Sequence, residues 1–383
     1  MSKTIERLIL KYLVKAVYVV SCICPVQERV VFATNRTTEL LDNFKFLDEE
    51  LTRQNLAYKR IYLLKKMGTG FIGRLDYLLH LMESTYYLAT SRFFVIDDFY
   101  FPVYVIRPRR GTEVVQAWHA CGAFKKFGYS ILDKDYGADN NYVKYIPIHR
   151  NYAHVLVSST EVIPYYAEAF NMDVNQIRPL GIPRTDLFFN EDLKQVAIER
   201  VYQTFPELKG RKLVLYAPTF RGATQSDMHM SIPFELESVL DSLEEGAILG
   251  LKMHPFVKDL PNLEGYSNVI DLSSYPEVND ILLIADVLIT DYSSLVFEYA
   301  LLERPIIFYA HDRQTYTRER DFYYDYESFI PGPLVETTEE LISVLKQENY
   351  EMERVKEFKA RFFDHVDGKA SERVVRAIFM PKS

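Results

Sequence analysis

Short runs of apolar, mostly β-branched residues recur along this chain from Arg29 onward, and helical segments separate them. The first series predicts strands at 30–34, 60–64, 93–97, 113–118 and 155–158, with helices near 39–54, 75–89 and 160–170. A second series starts after Lys209-Gly210, with strands at 213–218, 247–254, 269–272, 287–290 and 306–309. Strands that alternate with helices are joined by crossovers, so each series predicts a parallel, doubly wound α/β sheet. A chain of 383 residues, 48% of them hydrophobic, exceeds what one core usually holds, and two domains are expected. Their boundary is expected between Pro183 and Gly210, giving 29–200 and 201–383, with helices near 351–363 and 371–379 packing back across the first domain.

Residues 1–28 precede both series. Arg7, Lys11 and Lys15 recur at four-residue spacing on one helical face, and Leu8, Ile9, Leu13, Val17 and Val20 surround the rest. The lysines interrupt the apolar run and leave 16–24, far short of the roughly 20 residues that span a bilayer. Two readings share this period: an amphipathic helix lying in a membrane interface, and a helix packed on its own domain. The basic clusters Lys65-Lys66 and 107–110 suit anionic lipid, and equally a solvated surface.

A formal charge of −8 argues against a nucleic-acid partner bound by bulk electrostatics. Cys22, Cys24 and Cys121 make neither a disulfide framework nor a Cys-x-x-Cys pair, which points to a reducing compartment. His80, His149, His154, His229, His311 and His365 show no ligand spacing, and Asp133-Lys134-Asp135 lies in a polar stretch. No metal and no cofactor are expected.

The residues that close the strands carry the functional signal. After the run 287–289, Asp291-Tyr292-Ser293-Ser294 forms the turn into a helix predicted over 295–302. A helix N-terminus at the carboxyl end of a parallel strand offers N–H groups and a positive dipole end to an anion, and the serines add hydroxyl donors. The plainer alternative is that Ser294 caps the helix and Asp291 ends the strand. Trp118-His119-Ala120-Cys121-Gly122, Thr219-Phe220-Arg221 and Lys252-Met253-His254-Pro255 close other strands. Two His, an Arg, a Lys and a Ser-Ser turn at the carboxyl ends of separate parallel strands mark a binding rim.

Together with Phe124-Lys125-Lys126-Phe127-Gly128, Gly181-Ile182-Pro183-Arg184-Thr185-Asp186 and Pro305-Ile306-Ile307-Phe308-Tyr309, these motifs resemble the CDP-glycerol glycerophosphotransferase family of wall teichoic acid synthesis. The likeness runs over nearly the whole length after Arg29. Many members have Gly where this chain has Ala120; the His-Ala-x-Gly form with Lys-Lys-Phe-Gly looks closer to the teichoic acid primase branch. The resemblance implies a GT-B architecture of two Rossmann-like domains facing a cleft, with CDP-glycerol as co-substrate. It also implies a polyprenyl-diphosphate-linked saccharide acceptor, and a peripheral place on the cytoplasmic side of the cell membrane. Homo-oligomerisation is left open.

In the chemistry so implied, an acceptor hydroxyl attacks the phosphorus next to glycerol and CMP leaves. His119 is assigned as general base. His254, Arg221, Lys252, Ser293 and Ser294 are assigned to the developing diphosphate charge. Asp291 is expected to orient a histidine or bind the acceptor. By the family match, Ala120, Gly122, Arg184 and Thr219 lie near the donor, and Glu298 reaches the ribose hydroxyls. The alternatives are a polymerase of glycerol or ribitol phosphate, a GT-B glycosyltransferase or epimerase using a nucleotide sugar, and a non-enzymatic membrane scaffold.

Overall fold

The computed structural model describes residues 3–66, 68, 70–132, 134, 137, 140–219, 221, 232–253, 263–348 and 350–380. Contacts divide the chain into two units, Met1–Asp186 with Lys369–Ser383, and Leu187–Gly368.

The first unit holds a six-stranded parallel sheet. Its strands are β1 (Gln27–Thr34), β2 (Lys59–Leu64), β3 (Ser91–Ile96), β4 (Glu113–Gln116), β5 (His154–Leu156) and β6 (Ile177–Arg178), in the order β2-β1-β3-β4-β5-β6. Val30, Val31, Phe32 and Ala33 are all fully buried, the continuous burial of a parallel strand covered on both faces. The order reverses between β1 and β3, so the sheet's ligand crevice lies at their carboxyl ends, beside the loop that follows β4.

The second unit repeats the plan with β7 (Leu213–Tyr216), β8 (Ile248–Leu251), β9 (Val269–Asp271), β10 (Val287–Thr290), β11 (Ile306–Tyr309) and β12 (Leu334–Val335). The order β12-β11-β10-β7-β8-β9 puts its switch point between β7 and β10. Their carboxyl ends are fastened by Thr290, whose Oγ1 donates to the Ala217 carbonyl at 2.8 Å.

The changeover falls at Asp186/Leu187, inside the expected interval between Pro183 and Gly210 and ahead of the division drawn at residue 200. The helix Glu191–Thr204 belongs with the second unit because Arg200 pairs at 2.6 Å with the buried carboxylate of Asp280. Of the two terminal helices, only the segment from Lys369 returns to the first unit; Met352–Phe362 stays in the second. Asp186 fastens that return, its carboxylate accepting the backbone N–H groups of Ala370 at 2.8 Å and Ser371 at 2.9 Å.

The N-terminal helix, Lys3–Ser21, is part of the first unit rather than a separate segment. It buries Val14, Tyr18 and Ser21, and the Tyr18 hydroxyl accepts the Arg109 N–H at 2.8 Å. Its other side leaves Ile9, Tyr12, Val19 and Val20 exposed. Among the described residues no helix is long and apolar enough to cross a membrane.

Candidate active site

His119 follows β4 in the first unit, and the backbone before it is unusual. Trp118 has φ +48°, a left-handed conformation that costs a bulky residue on the order of 1–2 kcal/mol. This turn, not a longer strand, ends β4 at Gln116. Neighbours hold the conformation: the Gln116 side chain accepts the Trp118 N–H at 2.9 Å, and Asn43 Nδ2 donates to the carbonyls of Ala117 at 3.2 Å and Trp118 at 2.8 Å. The indole stacks on Phe127 and on the His119 ring, with centroids 5.3 Å and 4.4 Å apart.

The half-buried His119 ring lies with Nδ1 3.1 Å from the Asp97 carbonyl. A carbonyl only accepts, so Nδ1 carries the proton and Nε2 is left as a bare acceptor. Burial holds the imidazole below its ordinary pKa; the Asp98 carboxylate opposes this, and the charges of Arg36 and Arg184 assist it. His119 is therefore neutral near pH 7, the state a base needs. The adjacent Asp97 is buried, which pushes its carboxyl up to about 6 against the pull of the Arg36 guanidinium, 3.6 Å away. Its Oδ1 has no hydrogen-bond partner among the described residues.

Arg184 joins this cluster from the 3-10 helix Pro183–Phe188. Its N–H donates to Asn43 Oδ1 at 3.1 Å and its Nη2 to the His119 carbonyl at 3.2 Å. The carbonyls of Ala120 and Gly122 accept from the Tyr166 hydroxyl at 3.2 and 3.4 Å. The first unit thus gathers His119, Ala120, Gly122 and Arg184, the last three assigned above to the donor, and adds Arg36, Asn43, Asp97 and Asp98, which sequence reasoning missed. Arg36 and Asp97-Asp98 lie just past β1 and β3, so the strand-end rule applied to those strands would have found them.

In the second unit the switch point carries Thr219, Arg221 and Asp291. Asp291 is a clasp: Oδ1 accepts the N–H of Thr219 at 2.7 Å and of Tyr292 at 2.5 Å, and Oδ2 pairs with Arg221 at 2.9 Å. Arg221 also pairs with Asp312 at 2.7 Å and lies over the rings of Tyr292 and Tyr316, 5.2 and 4.9 Å from their centroids. Burial would push the Asp312 carboxyl up, but bonds from Arg221 hold it below the usual range. Arg221 therefore shapes this turn through two carboxylates, a different geometry from the open phosphate contact assigned to it. The Asp291 side chain meets backbone and an arginine, with no histidine among these partners.

Lys252 is likewise engaged, its ammonium donating to the carbonyls of Ser273 at 3.0 Å and Tyr275 at 2.7 Å. Burial lowers its pKa to about 8, opposed by Asp271. Glu298 is buried on the helix Leu295–Ala300. Ser294 makes no side-chain cap bond to that helix, while Ser293 Oγ accepts the Leu295 N–H at 3.3 Å. Both half-buried serines keep a hydroxyl proton to donate, and the buried Thr219 Oγ1 has no partner among the described residues. Among the described residues of this turn, these three hydroxyls keep a proton that the fold does not use.

His254 lies outside the described residues, as do Asp133, Asp135 and His229. Among the described residues no three His, Cys, Asp or Glu side chains are grouped to hold a metal ion. The buried His80 and His149 have tyrosine partners: His80 bonds the Tyr100 hydroxyl at 3.2 Å and His149 that of Tyr152 at 3.1 Å.

Residues 16–380 match the model of the CDP-glycerol:poly(glycerophosphate) glycerophosphotransferase family. A teichoic acid ribitol-phosphate primase of Bacillus spizizenii is 43% identical, over 92% of each chain. A poly(ribitol-phosphate) polymerase of the same organism is also 43% identical, but this chain spans only 56% of its length. A teichoic acid glycerol-phosphate primase of Bacillus subtilis is 30% identical over 88% of each chain. Among solved structures, the wall teichoic acid polymerase TagF superposes with a TM-score of 0.76 at 22% identity, covering 98% of this chain and 96% of that one. A UDP-GlcNAc 2-epimerase of Methanocaldococcus jannaschii superposes at 0.56 and 13% identity, covering 92% of this chain and 99% of that one. At these identities the likeness is one of fold.

Proposed function

We propose, from the premise that this chain belongs to the CDP-glycerol:poly(glycerophosphate) glycerophosphotransferase family, that it transfers a polyol phosphate from a CDP-polyol to a hydroxyl of a polyprenyl-diphosphate-linked saccharide at a membrane surface. The observation that carries the reading is the His119 ring, neutral and tied at Nδ1, with Nε2 free to take a proton. The acceptor oxygen attacks the phosphorus next to the polyol as its proton passes to Nε2; the bond from that phosphorus to the bridging oxygen breaks, and CMP departs. The first unit is the acceptor side and the second the donor side. There Ser293, Ser294 and Thr219 donate to the diphosphate, His254 adds charge stabilisation, and Arg221 and Asp291 hold the turn in shape.

Ribitol phosphate is favoured over glycerol phosphate as the unit transferred, since the ribitol-phosphate primase is 43% identical and the glycerol-phosphate primase 30%. A competition of CDP-ribitol against CDP-glycerol on a lipid-linked disaccharide, read by product mass, tests this. A single ribitol phosphate added is the expected product; glycerol phosphate alone would reverse the preference, and a series of added units would make the enzyme a polymerase.

Ser293→Ala and Ser294→Ala should each weaken binding of the CDP-polyol by about 1.5–3 kcal/mol, and of free cytidine much less, because a hydroxyl bonded to a charged phosphate contributes more than a neutral bond. Calorimetry with both ligands checks it, and equal losses for the two would remove the diphosphate from this turn.

A further inference from the structure

On the first unit a groove of about 470 Å³, with no His119 among its lining residues, runs between the helix Lys3–Ser21, the stretch 104–107 and the stretch 144–150. Lys11, Lys15, Arg107, Lys144 and Arg150 line it, and among the described residues no acidic side chain does. None of the five forms an ion pair among the described residues, although the chain as a whole carries a formal charge of −8. Lys11 is pinned, its ammonium donating to the Tyr145 carbonyl at 2.5 Å. Partial burial and the charges of Lys15 and Arg150 push its pKa down, as gathered like charges must. An anion in the groove relieves that repulsion.

The apolar surroundings say what kind of anion. Val19 lines the groove and is exposed, and Tyr12, Val20 and Ile23 of the same segment are exposed beside it. On the neighbouring helix Gly70–Thr90, Phe71 and Ile72 are each 81% exposed. A cluster of cations on a unit whose N-terminal helix and its neighbour expose aliphatic and aromatic groups suits a phosphate headgroup whose chains stay in a bilayer.

We infer that this groove binds the phosphate headgroup of an anionic membrane amphiphile and seats the first unit on the bilayer. The inference rests on the membrane-surface part of the proposed function. The helix is packed through Val14 and Tyr18, so deleting it would damage the fold, and point variants are the proper probe.

The full-length protein is floated with phosphatidylcholine vesicles with and without phosphatidylglycerol, as wild type, as Lys11→Gln/Lys15→Gln/Arg150→Gln, and as a control, Lys209→Gln/Lys346→Gln/Lys356→Gln, with the same charge change in the second unit. The wild type and control should bind the anionic vesicles. The groove variant should bind on the order of 100-fold more weakly, at about one kcal/mol per basic residue, with a melting temperature equal to or above wild type. Equal losses in the two triple variants, or none in the groove variant, would overturn the groove and leave membrane binding standing. A wild type that ignores vesicles would overturn both. A groove that responds in a thermal shift to inorganic pyrophosphate, without vesicle binding, would make the ligand a soluble anion and overturn the lipid assignment.

Discussion

Replacing His119 by Ala is expected to lower turnover by about two to four orders of magnitude and to leave affinity for the CDP-polyol nearly unchanged, because the ring acts on the acceptor's proton. Single-turnover kinetics with calorimetry of the same variant separates the two quantities. The environment of the ring adds a signed test. A base works unprotonated, and burial holds this one below the ordinary imidazole value of about 6.5, so the acid limb of kcat/KM should lie below that pH. The Asp98 carboxylate raises the pKa, so Asp98→Asn should move the limb to lower pH; Arg36 lowers it, so Arg36→Gln should move it up. Shifts of the opposite sign would mean that another group limits the reaction.

Arg221→Ala should destabilise the second unit by roughly 3–5 kcal/mol, the usual cost of leaving a buried carboxylate without its partner. Asp291 is fully buried and loses its guanidinium, Asp312 loses a forked partner, and the tyrosine rings lose the cation above them. Arg221→Lys should recover only part of this, since an ammonium cannot serve both carboxylates in the fork geometry. Chemical unfolding of each variant measures the effect. A variant with wild-type stability and weak donor binding would return Arg221 to direct phosphate contact.

Two inner strands of the second unit were legible at their full length: β10 at 287–290 and β11 at 306–309 are apolar runs with clear turn residues after them. The edge strands β6 and β12 were missed, since two residues carry no periodicity. Strand β4 was expected to run to residue 118; the left-handed turn at Trp118 depends on Asn43, a contact across 75 positions that local pattern cannot reveal. Residue type and strand-end location marked Arg221, Lys252 and Asp291 as interesting. Whether a cation faces a ligand or is already spent on a carboxylate or carbonyl depends on tertiary partners, and here Arg221 and Lys252 have them.

The most direct test is the identity of the nucleotide released as the acceptor gains mass. With a CDP-polyol and a lipid-linked saccharide, attack at phosphorus predicts CMP in step with an acceptor heavier by one polyol phosphate, both signals falling together in His119→Ala. Release of CDP with transfer of the bare polyol, or use of a nucleotide sugar in its place, would contradict the account.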